Sequence, residues 1–217
     1  MPDTSLELDL SRVPIFPLPE TVLFPRTRLP LHIFEPRYRA MTEHCLSTTS
    51  PMAIVLARPG QDLAGHVEIF PVAGVGVIER SERLADGRFN IVLRGVARMR
   101  IAEEIPNRPF RLVRGEALAE NLASPASLAI PCETLRACVR RVASMAGEPD
   151  VASEILRRVE SATDPALLAD TVGAMLVGDV TDRQALLEDV DVARRLETVT
   201  SKIADLLLRA DGPGDRQ

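Results

Sequence analysis

Prolines are concentrated in one apolar segment near the start of the chain, from Val13 to Met41. Its sequence is VPIFPLPETVLFPRTRLPLHIFEPRYRAM, and it holds six of the 17 prolines in the chain. Proline fixes its own φ, donates no backbone hydrogen bond and disfavours helical geometry in the residue before it. A helix is therefore excluded before Phe34, whereas extended segments at a sheet edge or bulge are allowed. Because large apolar side chains alternate with these prolines, we expect the segment to enter a β core.

The residues Glu35-Pro36-Arg37-Tyr38 indicate the start of the first helix. Proline is tolerated in a first helical turn, and a carboxylate there interacts favourably with the positive end of the helix dipole. The chain is therefore predicted to change from strand to helix near Phe34.

Strand patterns continue to about residue 118. Met52 to Ala57 is a short apolar run typical of a buried strand, and Val72 to Arg80 is a strand in which Gly74 and Gly76 indicate a bulge or a close backbone approach. Asp86-Gly87 predicts a tight turn into a returning strand. One face of that strand is predicted to carry Phe89, Ile91, Leu93, Ala97, Met99 and Ile101, and the other Arg88, Arg94, Arg98 and Arg100. A further strand is predicted from Phe110 to Ala117.

From about residue 124 the apolar residues recur with the 3.6-residue period of a helix. Pro131 is predicted to open one helix and Thr163-Asp164-Pro165 another, while Thr181 and Gln184 have the spacing of a capping box. A last apolar stripe runs from Val192 to Leu207. We therefore predict an α+β fold in four parts: a tail at 1–12, a β-rich subdomain at 13–118, a helical subdomain at 119–210 and a tail at 211–217.

The distribution of charge argues against an electrostatic interaction with nucleic acid. Residues 1–120 contain 15 arginines and 15 acidic side chains, so the formal net charge of −5 lies entirely in the second half. Nucleic-acid-binding surfaces are typically basic, so binding to nucleic acid is not expected.

The sequence contains no run of about 18 apolar residues, so it predicts no membrane span. The acidic start is unlike a signal peptide, so we expect a cytoplasmic protein.

Motifs for catalysis, cofactor binding and metal binding are absent from these 217 residues. There is no GxxxxGK[ST] loop to hold phosphates, and the cysteines Cys45, Cys132 and Cys138 lack the spacing of a zinc site or a disulfide framework. The histidines, His32, His44 and His66, share no ligand spacing. Lys202, the only lysine, lies in an amphipathic helix and is expected to be solvated. We predict no catalytic residue, no cofactor and no metal.

Three segments resemble the N-terminal substrate-binding domain of Lon-type ATP-dependent proteases, and more closely its stand-alone bacterial form. They are the Val13–Met41 segment, LADGRFNIVLRGVARMRI from Leu84 to Ile101, and the helical DPALLADTVGAML and RQALLEDVDVARRL, so the resemblance spans about residues 13–208. It implies a PUA-like β half followed by a helical bundle. Two positions depart from the family: Arg26 replaces a frequent glycine, and Ala73-Gly74 replaces a Gly-Thr or Gly-Cys pair.

The resemblance also implies a function, namely a non-catalytic module that binds polypeptide segments or unfolded proteins in protein quality control. An ATP-dependent protease is a second expected partner. Exposed apolar residues, near the first helix or in a groove between the two halves, would take up an extended hydrophobic segment. The candidate binding residues are Phe24, Phe34, Glu35, Arg37 and Tyr38. Two alternatives stay open: an RNA-binding PUA-like protein using the row Arg94, Arg98 and Arg100, and a small hydrolase using Cys45.

Overall fold

The computed structural model describes residues 8–60, 67–106 and 109–211. The chain divides into two compact units, Met1–Leu118 and Ala119–Gln217. The first unit contains β1 (Val13–Leu18), β2 (Arg28–Ile33), α1 (Pro36–Thr48), β3 (Met52–Leu56), β4 (Val72–Arg83), β5 (Phe89–Ile105) and β6 (Arg111–Ala117). The second contains α2 (Pro125–Met145), α3 (Pro149–Ser161), α4 (Pro165–Leu176), α5 (Val180–Glu188) and α6 (Val192–Asp211). The predicted α+β fold class is confirmed. Most of each predicted tail lies outside the described residues.

The strands form one mixed sheet in the order β2-β5-β4-β3-β1-β6. Because β6 also pairs with β5, five strands close into a ring, and β2 is attached to β5 alone among the described residues. The length of β5, 17 residues, makes this possible. Its first half pairs with β2 and its second half pairs with β6, while β4 lies along its other edge.

Both faces of the sheet are buried where β1 and β3 run side by side. In β3, Met52 and Ile54 join one apolar cluster, whereas Ala53 and Val55 join another. Successive strand side chains point to opposite faces, so a strand covered on both sides requires an uninterrupted apolar run. The buried strand predicted at Met52 is thereby confirmed. Helix α1 covers the first cluster with its buried side chains Tyr38, Met41 and Cys45.

The segment between β1 and β2 lies directly against the backbone of β4 and β5. A Cβ atom at Gly74 would lie 1.8 Å from the carbonyl oxygen of Leu23, and one at Gly95 would lie 2.1 Å from that of Phe24. Only glycine leaves room for these carbonyl groups. The close backbone approach predicted at Gly74 is therefore confirmed.

Arg26, in the same segment, has a left-handed backbone with φ 62°. Its N–H donates to the carbonyl of Gly95 at 2.8 Å, and the hydroxyl of Thr27 donates to the carbonyl of Phe24 at 2.7 Å. These bonds hold the turn in place, although the left-handed conformation costs a non-glycine residue roughly 1–2 kcal/mol. The backbone here thus has the conformation that favours the glycine expected at this position.

The arginine row predicted along β5 is interrupted. The register shifts between the pairs Val75–Ala97 and Gly76–Gly95, which leaves one extra residue in β5. A bulge of this kind reverses which face the following residues occupy. Arg98 is consequently buried, with 1% of its surface exposed, so the prediction that it belongs to an exposed row was wrong.

Two predicted helix starts in the second unit were displaced. Helix α2 begins at Pro125, with the hydroxyl of Ser124 accepting from the N–H of Ser127, so Pro131 lies inside the helix rather than at its start. Helix α5 begins at Val180 and is capped by Asp179. The predicted Thr181 capping box was therefore wrong. By contrast, Asp164 caps α4 by accepting from the N–H of Leu167, as its position before Pro165 predicted.

A buried arginine organises the polar interior of the second unit. Arg195, at the start of α6, is fully buried. Its Nη2 lies 2.5 Å from Glu120 Oε1, its Nε lies 3.4 Å from Asp170 Oδ1, and its Nη1 donates to the carbonyl of Asp189 at 2.9 Å. A buried guanidinium is tolerated when carboxylates and carbonyls surround it in this way.

Candidate functional site

Only one of the predicted aromatic binding residues is at the surface. Phe34, which follows the last residue of β2, is 61% exposed. Phe24 is 0% exposed and Tyr38 is 6% exposed, because the first lies in the segment packed on β5 and the second lies in the core beneath α1. The expectation that Phe24 and Tyr38 form an exposed apolar surface was therefore wrong, and Phe34 provides that surface alone.

The two charged candidates stand at the start of α1, beside Phe34. Arg37 Nε donates to Glu35 Oε2 at 2.9 Å, and the Arg37 guanidinium lies 4.5 Å from the centre of the Tyr38 ring. The Glu35 carboxylate does not cap the helix. These side chains therefore stabilise one another and form a polar border next to the exposed ring.

A surface cavity of about 630 Å³ lies on the solvent-facing side of β2, β5 and β4. Cross-strand register places the pair Pro30–Val92 beside the pair His32–Asn90. We call this cavity the β2 groove and define it by the lining residues Pro30, His32, Arg80, Glu82, Asn90 and Val92. Its floor is apolar at Pro30 and Val92, and its other members are polar.

Phe34 is continuous with the β2 groove through His32. The two rings are nearly parallel, with centres 6.2 Å apart. His32 Nδ1 donates to Asn90 Oδ1 at 2.7 Å, and Arg88 Nη1 donates to His32 Nε2 at 3.3 Å. The imidazole is therefore hydrogen-bonded at both ring nitrogens and lies between Phe34 and Pro30 along the chain.

Arginine side chains dominate the electrostatics at one end of the groove. Arg28 Nε and Nη2 donate to the two oxygens of Glu79 at 2.6 and 2.9 Å. These hydrogen bonds, with smaller contributions from the charges of Arg28, Arg94 and Arg80, hold the pKa of Glu79 below its usual range. The carboxylate of Glu79 thus lies in a positive field supplied by three guanidinium groups.

The environment of Cys45 does not suit a nucleophile. Its side chain is buried, and desolvation raises the pKa of the thiol to about 12. The Sγ atom donates weakly to the carbonyl of Pro51 at 3.9 Å, and the ring of the neighbouring His44 packs on Phe110, with centres 5.4 Å apart. A nucleophilic cysteine needs a stabilised thiolate that substrate can reach. The hydrolase alternative therefore has no support at this residue.

The structure also places Lys202 and tests the described residues for a metal site. Lys202 Nζ lies 2.6 Å from Asp182 Oδ2, and both side chains are partly exposed, so Lys202 forms a surface ion pair.

No group of three or more His, Cys, Asp or Glu in the described residues could hold a metal ion, and His66 lies outside those residues. No described helix combines the length and the apolar character that a membrane span needs.

Comparison with known proteins gives the evolutionary setting of this fold. Residues 12–205 match the family model described as the ATP-dependent protease La (LON) substrate-binding domain. The chain belongs to this family. The family resemblance inferred from the three sequence segments is thereby confirmed, and it places the chain among substrate-binding domains.

Curated relatives are much longer than this chain. A Lon protease of Trichlorobacter lovleyi is 29% identical over 203 residues, which cover 91% of this chain and 24% of that protein. A Lon protease of Dictyoglomus thermophilum is 25% identical over 188 residues, which cover 87% of this chain and 24% of that protein. The chain thus spans about a quarter of the length of these relatives.

Solved structures share the fold over nearly their whole length. The N-terminal domain of the Mycobacterium avium complex Lon protease aligns with a TM-score of 0.69 at 22% identity, covering 90% of this chain and 99% of that one. A Lon N-terminal domain protein from Xanthomonas campestris aligns with a TM-score of 0.62 at 21% identity, covering 88% and 98%.

Sequence reasoning missed the β2 groove. It singled out aromatic residues and the start of α1, whereas the groove lies on the preceding strand. The available signal was the two-residue alternation of the sequence RLPLHI, in which Leu29, Leu31 and Ile33 occupy every second position. The residues between them, Arg28, Pro30 and His32, are exposed in the structure. The proline in the strand obscured this alternation.

Proposed function

We propose that this chain is a non-catalytic module that binds exposed polypeptide segments of non-native proteins and so contributes to protein quality control. Family membership supports recognition of substrate as the general role. The observation that carries the specific proposal is Phe34, a large apolar ring that is 61% exposed beside a groove with an apolar floor. Delivery of bound segments to an ATP-dependent protease in the cytoplasm is part of the same proposal.

Burial of the Phe34 ring by a bound segment would provide much of the binding energy. Burying a phenylalanine side chain is worth about 1.5–3 kcal/mol relative to leaving it in water. Folded proteins bury most of their large apolar side chains and rarely expose large contiguous apolar patches, and a partner that covers Phe34 must offer apolar surface. Non-native polypeptides expose more surface of this kind than native proteins do.

The test uses reduced, carboxymethylated α-lactalbumin, which cannot refold, with fluorescein attached for anisotropy measurements. The chain is expected to bind this protein and not the disulfide-intact native form. Phe34→Ser is expected to weaken binding by roughly tenfold, since about 1.4 kcal/mol corresponds to a factor of ten.

Ile130→Ser is the matched control, because Ile130 is 79% exposed on α2 in the other unit. It should leave the affinity unchanged. The proposal is wrong if the wild-type chain does not bind the unfolded protein, or if Phe34→Ser and Ile130→Ser have the same effect.

A further inference from the structure

The β2 groove offers recognition by side chains rather than by the backbone edge of the sheet. Strand β2 pairs with β5 and with no other strand in the described residues, so its second edge faces outward. Pro30 lies in the middle of this edge strand and has no N–H to donate. Addition of a continuous partner strand is therefore disfavoured, and the solvent-facing side of β2, β5 and β4 is the available surface.

A bulge in β4 determines which charges border this surface. The register shifts between Ile78 and Arg80, which leaves Glu79 as the extra residue and places Arg80 opposite Val92 in β5. Arg80 therefore lines the groove beside its apolar floor. On β5, Arg94 lies two residues beyond Val92 on the same face of the strand and is paired with Arg28 of β2.

The carboxylates near the groove are already engaged. Arg28 binds both oxygens of Glu79, Arg88 Nε donates to Asp86 Oδ2 at 2.6 Å, and Asn90 Nδ2 donates to Glu82 Oε2 at 3.2 Å. The surroundings therefore contain four guanidinium groups, from Arg28, Arg80, Arg88 and Arg94, against the three carboxylates of Glu79, Glu82 and Asp86.

From this arrangement we propose that the β2 groove binds an extended polypeptide segment in which an apolar side chain is flanked by acidic residues. The apolar side chain covers Pro30 and Val92 and continues toward Phe34, while the flanking carboxylates face Arg80 and Arg94. This inference rests on the proposed function, because it specifies the class of segment that the polypeptide-binding surface prefers. Guanidinium groups bind carboxylates in a directional, bidentate manner, which gives the preference a structural basis.

The experiment compares two short fluorescein-labelled peptides that share an apolar centre and differ only in their flanks, aspartate in one and lysine in the other. The wild-type chain is expected to bind the aspartate peptide more tightly, with a preference that decreases as salt is raised. Arg80→Glu is expected to lower affinity for the aspartate peptide on the order of tenfold and to raise affinity for the lysine peptide, because an exposed attraction becomes a repulsion.

Arg100→Glu is the control, because it makes the same change of charge at a position outside the groove. Arg100 lies on β5 opposite Val72 and Glu116, far along the strand from Val92. The control variant should leave the preference intact. A third variant, Val92→Asn, places a neutral polar group on the apolar floor without changing the charge and should weaken binding of both peptides.

The outcomes separate this inference from the proposed function. If unfolded α-lactalbumin binds through Phe34 but Arg80→Glu and Arg100→Glu have equal effects on the peptides, the groove inference is wrong and the proposed function stands. If unfolded α-lactalbumin does not bind at all, the proposed function is wrong. Displacement of the aspartate peptide by an unstructured RNA that binds more tightly would identify a general polyanion site and would also overturn the inference.

Discussion

Replacing Gly74 by alanine tests whether the segment between β1 and β2 is built onto the sheet through backbone contact. The new Cβ atom would lie 1.8 Å from the Leu23 carbonyl oxygen, whereas ordinary contact begins at 3.4 Å. Both groups belong to the backbone or are attached directly to it, so no side-chain rotation relieves the clash. The segment must move away from β4.

The cost of that movement follows from what the segment buries. Leu23 and Phe24 are 1% and 0% exposed, and each buried side chain of this size contributes about 1.5–3 kcal/mol. The bond from Arg26 N–H to the Gly95 carbonyl is also at risk, at a net value of about 1 kcal/mol. Partial loss of these contributions predicts that Gly74→Ala lowers the free energy of unfolding by about 2–5 kcal/mol.

The sequence provides a probe that reports on the first unit alone. Tyr38 is the only tyrosine and there is no tryptophan, so tyrosine fluorescence during urea unfolding follows the unit that contains Gly74. Far-ultraviolet circular dichroism, to which the helices of the second unit contribute most, provides the comparison. Two separate transitions would show that the units unfold independently.

Gly147→Ala is the matched control, because Gly147 lies between α2 and α3 with no atom within 4 Å of an added Cβ. It should change stability by no more than about 1 kcal/mol, with stabilisation favoured by the lower entropy of the unfolded chain. Equal urea midpoints for Gly74→Ala and the wild type would show that the segment is not held as described.

Two further changes test the first unit at single residues. Arg26→Gly should stabilise it by about 0.5–1 kcal/mol in the same urea assay, because relief of the left-handed backbone exceeds the entropy cost of glycine; an equal gain from Arg26→Ala would contradict this reason. Burial raises the pKa of Cys45 from 9.0 to about 12, so the unfolded chain loses the thiol proton first and stability should fall as pH rises from 9 toward 12. Cys45→Ala should flatten this dependence in urea unfolding at a series of pH values, and an unchanged slope would exclude the thiol as its origin.

The fold class was predictable because the apolar residues of each half follow one spacing over many residues, that of a strand in the first half and that of a helix in the second. The apolar run at Met52 and the Asp86-Gly87 turn are local signals, and the structure confirms both, with Gly87 at φ 79°. The faces of β5 were predictable only as far as Leu93. Beyond it, one unmatched residue near Val96 transfers Met99 to the opposite apolar cluster, and the two-residue period contains no sign of that insertion.

The start of α2 shows a different limit. Pro125 and Pro131 each suit a first helical turn, and sequence reasoning chose the second. The structure selects the first because Ser124 caps the helix and Leu128 is buried one turn later. Pro131 then removes one N–H from the second turn, a cost that packing of the long helix must offset.

Phe24 and Phe34 show why the candidate site could be predicted only in part. Both follow apolar residues in the same proline-rich segment, and composition does not distinguish them. What distinguishes them is the tertiary position of a neighbouring glycine: Gly95 lets the backbone at Phe24 lie on β5, while Phe34 lies past the end of β2 with no element over it in the described residues. Exposure of one ring is therefore a consequence of a contact about 70 residues away in sequence, which local patterns do not record.

The closure of the sheet and the proposed mode of binding are connected. Each of the five strands in the ring is hydrogen-bonded to a neighbouring strand on both edges. Within the described residues, β2 therefore provides the outward edge of the sheet, and Pro30 makes this edge a poor template for another strand. Backbone pairing would accept almost any extended chain, because all residues except proline carry the same donor and acceptor. A surface made of Phe34, the groove floor and arginine side chains instead selects by side-chain character. The proposed function requires non-native segments to be distinguished from native proteins and so needs that selectivity, which the absence of an N–H at Pro30 favours.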